Sequence, residues 1–197
     1  MRRSLSIIPQ TPVVFIGTIK YNLDPLQQYK DEAIWNILKE VDLFDYVSSL
    51  DDKLETLITY NSSVFSVGQK QLMCLARTML KKSKIVILDE ATANVDFKTD
   101  QFIQEQLKVK FKESTVFTIA HRLSTIMDYD KIIVMDAGMV AEFGSPIALL
   151  TNDPEVDQEI TKVDGIFAQM VLQTGEESAR ALFSFAQKAY QASKTPA

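Results

Sequence analysis

Two adjacent carboxylates, Asp89 and Glu90, directly follow an apolar run at residues 85–88. A continuous run of aliphatic and β-branched side chains predicts a buried strand of a parallel sheet. Because α/β proteins bind their ligands at the carboxyl edge of such a sheet, the pair could form part of a magnesium-nucleotide site. Adjacent acids after a strand are a weak signal by themselves, and a solvated loop is an equally good interpretation of them.

His121 is the only histidine of the chain, and it follows a second apolar run at residues 115–119. In a parallel sheet this position would place it at the same edge as Asp89 and Glu90. A lone histidine is more often structural than catalytic. We therefore treat His121 as a candidate whose role depends on the residues around it.

Ser66 and Gln69 have the spacing of a helix capping box, and apolar residues recur with the helical period over residues 66–80. We therefore predict a helix that begins at Ser66. The serine hydroxyl, the free amides of the first turn near Gly68 and the positive end of the helix dipole would together favour an anionic phosphate.

The remaining pattern predicts an α/β fold with a largely parallel sheet. Apolar runs at residues 4–8, 84–88, 115–119 and 131–135 suggest strands buried on both faces, separated by helical stretches. We also predict a helix at residues 31–41 and a tight turn at 136–139 that leads to a terminal strand pair. Residues 1–175 would form one domain, with a helical subdomain at about 28–82, and residues 176–197 a C-terminal helical tail.

Composition argues against several classes of protein. Acidic residues outnumber basic ones by 26 to 21, and the formal charge of −5 has the wrong sign for binding nucleic acid. The single cysteine, Cys74, can form neither an internal disulfide nor a multi-cysteine metal site. Apolar runs fall well short of the ~20 residues that a membrane span requires, so we expect a soluble chain that reaches a membrane only through other polypeptide segments or partners.

Five motifs, in order, resemble those of ATP-binding-cassette (ABC) ATPases. Residues 6–10 resemble the Q-loop, 65–69 the signature, 85–90 the Walker B motif, 93–96 the D-loop and 118–122 the switch histidine segment. The resemblance extends over about residues 4–175 and implies an incomplete P-loop NTPase-like domain. Residues 17–25, Gly-Thr-Ile-Lys-Tyr-Asn-Leu-Asp-Pro, resemble the second nucleotide-binding domain of subfamily C, the multidrug-resistance-associated transporters, and Glu90 fits that domain.

This resemblance implies a role for each candidate residue. Glu90 would accept a proton from the attacking water, His121 would donate a hydrogen bond to the γ-phosphate, and Asp89 and Gln10 would hold Mg²⁺. The signature residues would contact the ATP of an opposite nucleotide-binding domain: Ser66, Val67, Gly68 and Gln69. Asp96, in the D-loop, would couple the two ATP sites, and an N-terminal helix cap is the alternative for this residue.

The chain departs from the family in lacking the Gly-x-x-x-x-Gly-Lys-Ser/Thr phosphate loop, Walker A. Because the family places this loop before the Q-loop, we expect a truncation, weak ATP binding and negligible hydrolysis by the isolated chain. Within the resemblance, Phe65 also replaces the usual leucine of the signature.

The resemblance implies ATP hydrolysis that drives transport by an ABC exporter at the cytoplasmic face of a membrane. Residues 10–21 would lie near the surface that docks transmembrane domains. Two alternatives remain open. The chain could be a catalytically inactive interaction fragment, or a non-transport ABC ATPase acting on nucleic acid or ribosomes, although the acidic charge argues against the latter.

Overall fold

The computed structural model describes residues 5–59, 64–89, 95–120 and 122–194. The chain divides into two compact units, Met1–Ile119 and Ala120–Ala197. Each unit has its own cluster of buried apolar side chains. The predicted boundary between residues 175 and 176 is a different division, based on sequence, and it stays a prediction.

The first unit contains a three-stranded parallel sheet. Strands β1 (Leu5–Ile8), β4 (Ile85–Asp89) and β5 (Thr115–Ile119) lie in the order β1-β4-β5. The register pairs Ile8 with Leu88 and Leu88 with Thr118, so the carboxyl ends of all three strands meet at one edge. The predicted α/β class with a parallel sheet is therefore confirmed, and the predicted strand positions agree with the observed ones to within one residue.

Burial of this sheet differs from the prediction. On one face Ile8, Val86 and Leu88 are buried in the core, whereas on the other Ile7 is 56% and Phe117 49% exposed. The expectation of strands buried on both faces is wrong for the described residues. A continuous apolar run gives each face of the strand the same chemistry, so the sequence could not show that packing elements cover only one face.

The helices of the first unit pack on the buried face and around it. Their bounds are α1 Ile19–Leu23, α2 Asp31–Glu40, α3 Phe44–Ser48, α4 Val67–Lys81 and α5 Phe97–Lys110. Helix α2 confirms the predicted helix, and its Ile34 and Leu38 are fully buried. A 3₁₀ turn (Lys53–Glu55) and a short antiparallel pair, β2 (Gly17–Thr18) with β3 (Leu57–Ile58), complete this unit among the described residues.

Helix α4 is the central helix of the first unit. It contacts β1, α1, α2 and α5, and its buried residues include Met73, Leu75 and Ala76. The helix ends at Lys82, which adopts the left-handed conformation with φ 49° and closes the last turn. Because α4 is long and largely buried, it holds the residues at its amino end in a fixed position.

The described part of the second unit consists of a short helix, a hairpin and three further helices. After α6 (Leu123–Ile126), strands β6 (Ile132–Asp136) and β7 (Met139–Gly144) pair antiparallel around Ala137 and Gly138, both at positive φ, as a two-residue hairpin turn requires. The predicted turn and strand pair are confirmed. Strand β6 buries Ile132 and Val134 but exposes Ile133, so its predicted burial on both faces is also wrong.

Helices α7 (Pro146–Leu150), α8 (Ile166–Leu172) and α9 (Glu176–Lys194) complete the second unit. Phe167 from α8 and Phe183 from α9 are buried in the same apolar cluster. Among the described residues, none of the helices is long and apolar enough to cross a membrane.

Candidate nucleotide site

The carboxyl edge of the parallel sheet presents two of the predicted metal-binding side chains. Asp89 is the last residue of β4 and is exposed, while Gln10 lies two residues beyond the end of β1 and is also exposed. Because Ile8 pairs with Leu88, both residues follow neighbouring strand ends. The structure thus places Asp89 and Gln10 at one sheet edge. The two predicted catalytic residues, Glu90 and His121, lie outside the described residues.

This donor set is compatible with magnesium. Mg²⁺ in nucleotide sites takes one or two carboxylates and completes its octahedral shell with water and substrate phosphates. Asp89 provides a carboxylate and Gln10 an amide oxygen, both hard oxygen donors. The described residues contain no group of three or more His, Cys, Asp and Glu side chains that could hold a metal by themselves.

The amino end of α4 forms the second part of the site. Ser66 is the N-cap: its hydroxyl accepts a hydrogen bond from the Gln69 amide at 3.2 Å, and the Gln69 side-chain oxygen accepts one from the Ser66 amide at 2.9 Å. The predicted capping box is confirmed. At this helix start the amides of Val67 and Gly68 have no intrahelical acceptor, and the Val67 side chain is exposed.

The residues just before this helix are anchored to α3. Phe65 is buried and its ring lies 5.6 Å from that of Tyr46, whose hydroxyl donates a hydrogen bond to the Val64 carbonyl. Phe65 thus fills a place in the core. Its aromatic ring, unusual for a signature motif, has a packing partner in this chain.

Asp96 caps helix α5. Its carboxylate accepts hydrogen bonds from the Thr99 amide at 3.0 Å and from the Thr99 hydroxyl at 2.7 Å. These bonds favour the charged form, so the pKa of Asp96 lies below its ordinary value. The helix-cap alternative is therefore what the structure shows, and the coupling role of Asp96 stays a prediction.

The starts of α4 and α5 lie side by side. A β-carbon added at Gly68 would lie 3.6 Å from Thr99 Cγ2 and 3.8 Å from Asp96 Oδ2, which is ordinary van der Waals contact. The structure therefore brings the signature segment and the D-loop aspartate together. Sequence reasoning did not predict this contact, because Gly68 and Asp96 belong to different elements and no local pattern links them.

Comparison with known proteins shows which family the chain resembles. Residues 1–93 match the sequence model of the family described as ABC transporter. A probable multidrug resistance-associated protein of Drosophila melanogaster is 48% identical over 193 residues, which cover 98% of this chain and 13% of that protein. ATP-binding cassette sub-family C member 4 of Homo sapiens is 46% identical over 190 residues, 96% of this chain and 14% of that protein. This chain is a homologue of subfamily C ABC proteins.

The fold agrees with this homology. A bacterial Atm1-family ABC exporter, solved with ATP bound, superimposes with a TM-score of 0.74 at 33% identity, covering 90% of this chain and 29% of that one. The chain spans 13% to 14% of the length of the two curated relatives. The predicted resemblance to ABC ATPases of subfamily C is confirmed.

Proposed function

We propose that the chain contributes the signature half of an ATP site in an ABC exporter. In this proposal ATP binding closes a dimer of nucleotide-binding domains, and hydrolysis reopens it to drive transport. The observation that carries the proposal is the amino end of α4, where an exposed serine and two amides without intrahelical acceptors lie beside the start of α5. Such a helix start attracts phosphate, and the similarity to ATP-binding cassette proteins supports ATP as the ligand.

Within the proposed site, Ser66, Val67, Gly68 and Gln69 contact the nucleotide held by an opposite domain. At the other ATP site, that of the domain to which the chain itself belongs, Glu90 accepts the proton of the attacking water and His121 donates a hydrogen bond to the γ-phosphate. Asp89 and Gln10 hold Mg²⁺, which when bound neutralises charge on the β- and γ-phosphates. Asp96 couples the two sites while its carboxylate caps α5.

The proposed partners are a second nucleotide-binding domain and the transmembrane domains of an exporter. These would hold the chain at the cytoplasmic face of a membrane, with residues 10–21 near the docking surface. The second candidate is an inactive fragment that binds another cassette through α4, whose amino end is exposed.

The test is binding of a fluorescent ATP analogue with Mg²⁺ to three samples. These are the chain, an intact first nucleotide-binding domain of a subfamily C relative, and their mixture. We expect tighter binding in the mixture than by either protein alone. Single-turnover ATP hydrolysis that is faster in the mixture than with the intact domain alone would separate an active half-site from an inactive fragment. Equal binding in the mixture and by the intact domain alone would contradict the proposal.

A charge variant makes the experiment specific for the helix start. Ser66→Asp keeps a good N-cap but places a negative charge where the phosphate would lie, so binding in the mixture should weaken by at least about tenfold. Ser145→Asp is the matched control, because Ser145 caps α7 in the second unit in the same way. Equal effects of the two substitutions would show that α4 is not the phosphate site.

A further inference from the structure

The segment at residues 9–16, which follows β1 and includes Gln10, forms neither helix nor strand. We refer to it as the 9–16 segment. Its apolar side chains Val13, Phe15 and Ile16 are about half exposed, so burial contributes little to holding them in place. Val14 packs against the core, and polar contacts hold the rest of the segment.

One group of contacts comes from Asn22, a fully buried residue in α1. Its side-chain oxygen accepts a hydrogen bond from the Phe15 amide at 2.8 Å. Its side-chain nitrogen donates to the Phe15 carbonyl at 2.9 Å and to the Thr18 carbonyl at 3.0 Å. The amide group thus pairs with both backbone groups of Phe15, as a neighbouring strand would.

Arg77 of α4 adds a second group of contacts. Its guanidinium donates to the Val13 carbonyl, to the Asn22 carbonyl and, at 2.8 Å, to the Asn22 side-chain oxygen. The same group lies 5.3 Å from the centre of the Phe15 ring. All three hydrogen-bond acceptors are neutral, and burial lowers the pKa of Arg77. A partly buried guanidinium is costly without such a set of acceptors, and its fixed fork of donors makes the arrangement specific.

Gln71, one and a half turns earlier on α4, holds the other end of the segment. It is buried, and its side-chain nitrogen donates to the Pro9 carbonyl at 3.1 Å. Its side-chain oxygen is buried without a hydrogen-bond partner among the described residues. Between these two residues the Cys74 thiol contacts the Val13 carbonyl at 3.8 Å. Residues 71, 74 and 77 thus form one stripe of α4 that follows the 9–16 segment.

We infer that Arg77 and Gln71 are positioning residues that couple the signature helix to the 9–16 segment. This inference rests on the proposed function, since it concerns the same ATP site. A helix transmits displacement along its axis, and Ser66 lies about 16 Å from Arg77 at 1.5 Å per residue. Nucleotide contact at Ser66 therefore reaches Gln10 and its neighbours through α4, and a change in the segment alters nucleotide affinity in return.

The first measurement is hydrogen exchange of the whole chain without nucleotide. Arg77→Lys keeps the charge but cannot reproduce the three directed hydrogen bonds, so amides of the 9–16 segment should exchange about tenfold faster. Gln71→Met removes the bond to Pro9 and the unpartnered buried oxygen, and it should raise exchange at the start of the segment only. Arg180→Lys, in an exposed ion pair on α9, is the matched control and should change nothing in the segment.

The second measurement adds the intact partner domain and the ATP analogue. In the wild-type chain nucleotide should slow exchange of the 9–16 segment, and in Arg77→Lys this response should fall at least about threefold after correction for bound nucleotide. A merely structural role would leave the response intact. If Arg77→Lys speeds exchange equally throughout the first unit, or leaves both the segment and its response unchanged, the inference is wrong.

The two proposals fail in different ways. If the mixture binds no additional nucleotide, the proposed function fails, while the nucleotide-free exchange data still decide whether Arg77 and Gln71 hold the segment. If nucleotide binds but the segment does not respond, the proposed function stands and the coupling is wrong.

Discussion

At the level of single residues, Asp96 both caps a helix through its hydrogen bonds and lies in the candidate site. Its carboxylate accepts both the amide and the hydroxyl of Thr99, and these bonds lower the pKa of Asp96. A carboxyl whose pKa is lower in the folded than in the unfolded state stabilises the fold above the unfolded value of about 3.9. That contribution disappears as the pH falls through the lower, folded value.

We therefore predict a pH-dependent effect of Asp96→Asn. Asparagine is also a good N-cap, so the substitution removes the charge and keeps the cap geometry. The free energy of urea unfolding should be lower for the variant at pH 7, and the difference from wild type should begin to shrink below about pH 4 and vanish once the pH is below the folded pKa of Asp96. In a Thr99→Val background the effect of Asp96→Asn should be smaller but not absent, because the backbone amide of residue 99 still donates to Asp96. A difference that is constant with pH would show that the charged form makes no special contribution.

The candidate site also shows which contacts a local sequence pattern can predict. The capping box of Ser66 and Gln69 could be predicted because both partners lie within one helical turn. The contacts of Arg77 could not, because its acceptors Val13 and Asn22 lie 64 and 55 positions away along the chain. Arg77, which directly follows the apolar run from Leu72 to Ala76, was a local signal of a polar network.

At the scale of the element, the parallel sheet has two unequal faces. Ile7, Ile87 and Phe117 are paired across β1, β4 and β5, so they form a row on the exposed face. Contiguous apolar surface of this kind binds other apolar groups more strongly than scattered exposed residues do.

The strands themselves could be located from sequence, because long aliphatic runs are local signals. The one-sided burial could not, because it depends on which elements cover the sheet.

The exposed face gives a second prediction. Phe117→Thr keeps a good strand residue and removes a large exposed ring, so binding of the dye ANS should fall while unfolding free energy changes by less than about 1 kcal/mol. Val86→Thr, on the buried face of β4, is the comparison. It places a hydroxyl in the core and should cost about 1–3 kcal/mol. If Phe117→Thr destabilises the chain as much as Val86→Thr does, the Phe117 side chain is buried in solution and the prediction of an exposed face is wrong.

At the scale of the whole molecule, two separate apolar clusters stabilise the chain. Leu38 is fully buried in the cluster of the first unit, and Phe167 in that of the second. The clusters share no member, and each belongs to a different compact unit. Substitutions in one cluster should therefore act on the local stability of that unit.

Core truncations test this independence. Leu38→Ala should cost the first unit about 2–5 kcal/mol, and Phe167→Ala should cost the second about 3–5 kcal/mol, since each leaves a cavity in a packed core. Hydrogen exchange should accelerate across α2 and α4 in the first variant and across α7, α8 and α9 in the second. Because amide exchange reports the free energy of the smallest opening that exposes each amide, acceleration of both units by either variant would mean that they unfold as one cooperative structure. The first and second units would then unfold with a single free energy, and a nucleotide bound at Ser66 would slow amide exchange in both.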